Sequence, residues 1–365
     1  MPFPLPFPLG LRLREGSFIL SPRTAAAPAK GAPRAMRHHR FAVIGSNCFT
    51  GSHFVDALLA DDGNEVLALS RSPEKDALYL PYKSRSLDHF RFRQANLSDD
   101  SALLALLDEF QPEVVINVAA LSEVVLSNFS PIEYFETNTV GVVKLCSRLR
   151  EKPYLKRYVH ISSAEIYGSC PHPITEEQPL NPSTPYAVSK AAADMYLLTL
   201  AKNFDFPVTL IRSTNVYGKH QQLFKIIPRT VIYIKQRRKI DLHGGGHAVK
   251  SFVHIRDVVR GTLMALEQPQ PDTIYHFSTR SDATIADIVR TVCDQMGEDF
   301  AANVNVVDER LGQDARYTLD FAKAERELGW EPQVKFEDGV RETIDWINAN
   351  WDRVRNEPLQ YVHKV

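Results

Sequence analysis

Residues 41–51 read FAVIGSNCFTG, and the order of residue types in that stretch decides the fold. Phe41 to Gly45 is a short apolar strand, and a helix is expected from Gly51 to Leu59. In such a strand–turn–helix, one glycine makes the tight turn, a middle one lets backbone approach a pyrophosphate, and the last permits close helix packing. Gly45 and Gly51 fill the outer positions, with Asn47, Phe49 and Thr50 between them. Cys48 stands where the middle glycine belongs, so the loop departs from the strict pattern.

Outward from this loop, strands and helices alternate. Glu65–Ser70 and Phe90–Ala95 read as the second and third strands, and Val114–Ala119, Tyr158–Ile161 and Val208–Ile211 are short apolar runs of the kind that fill a parallel sheet buried on both faces. The class expected is α/β: a Rossmann-type, doubly wound parallel sheet followed by a smaller, mixed C-terminal substrate-binding region. The second strand ends in Ser70-Arg71-Ser72, about 20 residues past Gly51, where NAD-binding folds carry a ribose-binding acid. An acid there would repel a 2′-phosphate, whereas Arg71 could pair with it. That favours NADP over NAD.

A second decisive stretch runs from Ser162, SSAEIYG, to PSTPYAVSKAAAD from Pro182. The strand before it delivers Ser162, Ser163, Ala164 and Glu165 to the carboxyl edge of the sheet, where ligands bind in this architecture. Pro185 reads as a helix start, and Tyr186 and Lys190 then share one helical face. An ammonium beside a phenol favours the phenolate, so Tyr186 is expected to take a proton from a substrate hydroxyl near neutral pH, given Lys190 and a cationic cofactor ring. Taken alone, the Tyr/Lys spacing is far more often that of a packed ring and a snorkelling surface amine.

Composition narrows the partners. The chain has 365 residues, 44% of them hydrophobic, and a formal net charge of -1, which gives no electrostatic argument for nucleic acid or an anionic membrane. No apolar run approaches the ~20 residues of a membrane span. Cys48, Cys146, Cys170 and Cys293 show no metal-ligand spacing, so no structural metal and a cytoplasmic, reducing setting are expected. Residues 1–39 are rich in Pro, Ala and Arg and lack periodicity; they read as a disordered extension, with Met36 a second candidate start. An Arg-rich leader can also be a transit peptide, but the prolines would interrupt its helix.

The expected division is a NAD(P)-binding domain over 40–216, a mainly substrate-binding region over 217–350 whose chain crosses back near 250–265, and a tail over 351–365. The helices around Tyr134–Leu149 and Tyr186–Lys202 carry apolar faces suited to a homodimer bundle. Lys225, Lys250 and Arg310 lie in stretches that read as loops, where they are surface cations or grip a diphosphate.

Five blocks in order carry a family resemblance: HISSAEIYG, PSTPYAVSKAAAD, RSTNVYGKHQQLFKIIP, HGGGHAVKSFVHIRD and ERLGQDARYTLDFAKAERELGW. From about Phe41 to Trp346 the chain resembles the extended short-chain dehydrogenase/reductases, and within them the nucleoside-diphosphate-sugar 4,6-dehydratases of the dTDP-glucose type. The resemblance implies that Tyr186 is the base at the sugar O4, with Lys190 and Ser163 supporting it, and Glu165 the base at C5. It implies a tightly bound, recycled NADP or NAD held by Gly45, Asn47, Cys48, Phe49, Thr50, Gly51, Ser70, Arg71, Asn96, Leu97, Ala119, Ala120, Tyr186 and Lys190. Ser122, Glu123, Asn215, Lys225, Lys250 and Arg310 would contact the nucleoside-diphosphate sugar.

The chain also departs from that pattern. Ala164 stands where the dTDP-glucose enzymes carry an acid, so the leaving hydroxyl lacks a dedicated proton donor. GDP-mannose 4,6-dehydratases lack that acid too, which would leave Glu165 to act as base and then acid. Glu123 replaces a usual His, Leu126 and Lys250 replace usual Args, and Gln313 a common His. The activity expected is 4,6-dehydration of a nucleotide hexose to the 4-keto-6-deoxy sugar. A 4-epimerase, a uronate decarboxylase, a 5,6-dehydratase and a non-catalytic cofactor-binding protein are the alternatives.

Overall fold

The computed structural model describes residues 39–268, 273–309 and 316–361. The extension up to residue 38, with Met36, lies outside the described residues, as do Arg310 and Gln313. Seven parallel strands form the main sheet: β1 (Arg40–Ile44), β2 (Glu65–Ser70), β3 (Phe90–Gln94), β4 (Val114–Asn117), β5 (Arg157–Ile161), β6 (Val208–Ser213) and β10 (Thr273–Phe277). Their spatial order is β10-β6-β5-β4-β1-β2-β3. The chain therefore winds one way from β1 to β3 and the other way from β4 onward, and the reversal lies between β1 and β4. Ligands of open α/β sheets bind outside the carboxyl ends of the strands at that reversal.

Strand periodicity explains why helices cover both faces. Phe41 and Val43 of β1 enter one apolar cluster with Phe54, Val55 and Leu58 of α1 (Phe49–Leu58). Ala42 and Ile44 enter the opposite cluster with Leu103 and Leu107 of α2 (Asp100–Phe110), Leu145 of α3 (Gly141–Leu149) and Leu197 of α4 (Pro185–Phe204). Successive side chains leave a strand on opposite faces, so a run apolar at every position is stable only between two layers.

A few boundaries differ from the sequence reading, each for a local reason. Helix α1 starts at Phe49 instead of Gly51, because the Cys48 side chain caps it by accepting from the Gly51 N–H at 3.2 Å. β4 ends at Asn117, where the Asn117 side-chain oxygen takes the Ala119 N–H at 3.1 Å and turns the chain out of the ladder. β6 runs on to Ser213 because β10 pairs along it to Phe277.

Beyond β6, three further strands meet on β9 (Val249–His254): β7 (Asn215–Tyr217), β11 (Asp282–Thr284) and β13 (Arg316–Tyr317). β8 (Ile240–His243) pairs with β12 (Val304–Val307). Helices α5 (Ile226–Lys235), α7 (Ile285–Met296) and α8 (Phe336–Ala349) share a third cluster through Val231, Val289, Ile344 and Ile347. In between, α6 (Ile255–Leu266) and then β10 return to the large sheet, so the crossing extends past residue 265. Within 351–361 the chain forms a short helix, Trp351–Val354.

Among the described residues, no helix is long and apolar enough to cross a membrane. No group of three or more His, Cys, Asp or Glu there is arranged to hold a metal. The four cysteines are free thiols.

Candidate active site

A cleft of about 690 Å³ opens at the carboxyl ends of the central strands, and Ser163, Glu165, Tyr186 and Lys190 all line it. Their convergence follows from two local structures. β5 ends at Ile161, and a 3-10 turn, Ala164–Tyr167, begins with the Ser163 hydroxyl accepting from the Glu165 N–H at 3.2 Å. That bond fixes the Glu165 backbone at the start of the turn. Across the cleft, Thr184 caps α4 by accepting from the Ala187 N–H at 3.2 Å, and Pro185 opens it with the φ a first helical turn needs. Tyr186 and Lys190 then stand one turn apart.

The electrostatics show what Tyr186 needs before it can ionise. Burial pushes the Tyr186 phenol well above its ordinary pKa, Glu165's charge adds to the rise, and the hydrogen bond with Ser163 pulls the other way. Lys190 does not offset this. Its Nζ donates to the Ile161 carbonyl at 2.7 Å and to His160 Nε2 at 3.0 Å. Burial lowers its pKa to about 8, with Asp194 opposing. In the protein by itself Tyr186 is therefore a neutral phenol near pH 7, and its ionisation needs positive charge beyond Lys190.

Beneath these groups lies a buried charge network. Asp194, one turn past Lys190 on α4, accepts at Oδ2 from the Ser162 hydroxyl at 2.9 Å and from Arg212 Nε at 2.9 Å. Asp194 and Arg212 are 0% and 2% exposed. Arg212 also donates to the Tyr167 hydroxyl, which meets His276 Nε2 at 2.8 Å. The pair thus ties the turn after β5, helix α4 and β6 into one rigid support.

The expected cofactor residues separate into three groups. Cys48, Phe49, Thr50 and Ala120 line the cleft. Gly45 and Gly51 shape the loop: Gly45 sits at φ +93°, and a Cβ at Gly51 would stand 2.3 Å from the Gly45 carbonyl oxygen. A Cβ at Gly45 would meet Ala119 N at 2.7 Å. Cys48, by contrast, has extended backbone at φ -83°, so its place in the loop does not require glycine. The others do not reach the cleft wall. Asn47 donates to the Ser72 and Pro73 carbonyls, Ser70 is buried at the end of β2, and Arg71 is exposed with its carbonyl accepting from Gln94. Asn96 is an exposed turn residue accepting from the Ser98 N–H. Leu97 is a core residue.

On the substrate side, Ser122, Glu123, Asn215, Lys225 and Lys250 line the cleft; Arg310 is outside the described residues. Two of them differ from expectation. Lys225 Nζ donates to Glu123 Oε1 at 2.6 Å, so its charge is already balanced by the residue across the cleft. Lys250 is no surface loop cation: it lies on β9, is 8% exposed and sits 3.8 Å over the centre of the Tyr317 ring.

Sequence reasoning passed over several residues. Tyr317 lines the cleft, its hydroxyl 3.1 Å from Asn215 Oδ1 and 3.5 Å from Glu165 Oε1. It lies in the last of the five family-like blocks, and a lone Tyr in a two-residue strand carries no periodic signal. Asn138, in a π turn before α3, holds the Leu121 N–H and carbonyl and the Ser189 hydroxyl. It thereby locks the loop bearing Ser122 and Glu123 onto α4; π turns often mark functional sites. Tyr361 comes back to the cleft edge-on to Phe224.

Known proteins bear on this geometry. The chain is 26% identical to the dTDP-glucose 4,6-dehydratase of Salmonella typhimurium, covering 86% of this chain and 94% of that one. To the dTDP-D-glucose 4,6-dehydratase of Homo sapiens it is 28% identical over 87% and 92%. The dTDP-glucose 4,6-dehydratase of Streptomyces venezuelae, solved with NAD bound, superposes with a TM-score of 0.81 at 32% identity, covering 88% of this chain and all of that one. A UDP-glucose 4-epimerase of Thermotoga maritima superposes with a TM-score of 0.78 at 24% identity, covering 86% of this chain and 99% of that one, a likeness of fold. The family model described as GDP-mannose 4,6 dehydratase matches residues 43–343, most of the chain. The chain belongs to the GDP-mannose 4,6 dehydratase family.

Proposed function

We propose that this protein is a nucleotide-sugar 4,6-dehydratase, converting a nucleoside-diphosphate hexose to its 4-keto-6-deoxy derivative. The observation that carries the reading is the Glu165 carboxylate, held by the Ser163 turn in the same cleft as Tyr186 and Lys190. Exchange of hydrogen at C4 needs only a Tyr/Lys pair; loss of water across C5 and C6 also needs a base at C5. The dehydratases among the relatives support the same activity.

The cleft residues fit a nicotinamide dinucleotide. Gly45 and Gly51 leave only backbone at the loop, and Cys48, Phe49, Thr50 and Ala120 would hold the group against the sheet. When bound, it supplies a hydride acceptor at C4 that gives the hydride back at C6. Tyr186 takes the O4 proton, Ser163 holds that oxygen, and Lys190 fixes the charge beneath them. Glu165 takes the proton at C5, which a ketone at C4 makes acidic. Asn215 and Lys250 line the cleft and would contact the sugar phosphates, as would Lys225 in its pair with Glu123. NAD is the better-supported cofactor: the S. venezuelae relative was solved with it. The preference for NADP rested on Arg71 and finds no support there.

The test is a panel of nucleotide sugars with product masses. The expected result is loss of one water, a product carbonyl that reacts with hydroxylamine, and no net cofactor reduction. Loss of water without the carbonyl points to a 5,6-dehydratase, loss of carbon dioxide to a decarboxylase, and an isomer of unchanged mass to an epimerase. Denaturing the purified protein and identifying the released dinucleotide decides NAD against NADP.

The protein is further proposed to act as a homodimer in the cytoplasm, a setting that suits four free thiols. Val188 and Met195 are exposed on α4, with Ile132 and Val140 exposed just before α3. A contiguous apolar face on two neighbouring helices is stable in water only when covered. Met195→Glu is expected to halve the molar mass measured by light scattering; an unchanged mass excludes this face.

A further inference from the structure

The departing C6 hydroxyl needs a proton, since hydroxide is a poor leaving group. The residue before Glu165 cannot supply one: Ala164 is a buried methyl group. Tyr317 stands on the other side of the carboxylate. β13 pairs with β9 so that Tyr317 lies opposite Lys250, and the ring is 4% exposed while still lining the cleft. Its hydroxyl is shared between Asn215 Oδ1 at 3.1 Å and Glu165 Oε1 at 3.5 Å. The Lys250 ammonium lies 3.8 Å over the ring, where a cation stabilises negative charge building on the phenol.

On the dehydratase reading given above, we propose that Tyr317 is the catalytic acid that protonates the departing C6 hydroxyl, and that Glu165 then restores its proton. The step balances. The C5–H proton goes to the Glu165 carboxylate, and its electron pair forms the C5–C6 double bond. The C6–O bond breaks, and O6 leaves as water with the Tyr317 proton. The Glu165 carboxylic acid next returns its proton to the Tyr317 phenolate across their contact, and when the hydride reaches C6 the proton that C5 needs is the one Tyr186 drew from O4, exchanged through solvent, so every group finishes as it began. Glu165 need not face the C5 proton and the C6 oxygen at once.

The experiment is Tyr317→Phe on the full chain with its native bound cofactor, a change that keeps the ring and its packing. The probes are dTDP-glucose or GDP-mannose, whichever the wild type dehydrates, and the 6-deoxy-6-fluoro analogue of the same sugar. Fluoride leaves with little help from an acid. The variant is expected to lose about 10²-fold in kcat on the 6-hydroxy substrate, the scale of one general acid. It should stay within about 3-fold of wild type on the fluoro analogue, and should still exchange the C5 proton with deuterated solvent; the same criterion sets both. Equal losses on both substrates would mean that Tyr317 only orients Glu165 and would overturn the proposal, as would an unimpaired variant. A wild type that dehydrates neither sugar overturns the dehydratase reading and this proposal with it. An active wild type with an indifferent variant overturns the proposal alone.

Discussion

Glu165→Gln abolishes water loss. The amide keeps the size of the side chain and can still accept from the Ser163–Glu165 turn's neighbour Tyr317, but it cannot take a proton from carbon. The expected fall in kcat for the keto-deoxy product is about 10³-fold, within the range of a single general base. Oxidation at C4 does not use this carboxylate, so a single turnover should leave reduced nicotinamide in place instead of recycling it. Rapid-mixing absorbance and product mass read the two steps separately. A variant that still turns substrate over at wild-type rate, with unchanged product mass, would assign the protein to the epimerases.

The second large effect is on stability and on pH. Asp194→Asn removes the charge paired with Arg212, which is 2% exposed, and leaves a guanidinium without a counter-ion. Breaking a buried pair from one side costs about 3–5 kcal/mol, to be seen as a lower urea midpoint at unchanged m-value. Asp194 also holds up the Lys190 pKa against burial. Without its charge the ammonium is lost at a lower pH than the present value of about 8, so the alkaline limb of kcat/KM should move down. The groups facing Lys190 are His160 on β5, which burial keeps neutral, Asp194 on its own helix and Arg212 beyond it on β6. With Asp194 neutral, Arg212's field adds to the downward shift. A variant with wild-type stability and an unmoved alkaline limb would show that the pair is not coupled to the site.

How much of this was legible in the chain depends on whether the signal was local. β2 was readable to both of its ends, because Val66–Leu69 is a continuous apolar run with Glu65 and Ser70 at its ends. The start of α4 was readable from Pro185, whose ring fixes the φ of a first helical residue. Helix α1 was placed too late, since a cysteine is not a usual cap and its thiol accepts a bond that normally falls to an oxygen. Lys250 was read as a loop cation because a lysine argues against a buried strand. Its position over an aromatic ring supplies the compensation that the chain alone does not show.

The candidate catalytic set shows the same division. Ser163, Glu165, Tyr186 and Lys190 could be named because two short stretches, one strand exit and one helix start, carry them all. How far burial raises the Tyr186 pKa was not legible, because a pKa depends on burial and on which atoms the ammonium meets, and Lys190 meets a carbonyl and an imidazole. Tyr317 and Arg212 reach the site from other strands, and nothing in their neighbours announces it.

The sequence by itself determined the parallel α/β sheet and pointed to Ser163, Glu165, Tyr186 and Lys190 as candidate proton-handling groups. Those follow from strand and helix periods and from turn chemistry, which act over a few residues. Only the tertiary structure decided which charges are paired, which phenol lies against Glu165 and how far burial shifts each group. Those depend on distances between segments far apart in the chain, and on the low dielectric that exists only once both faces of the sheet are covered.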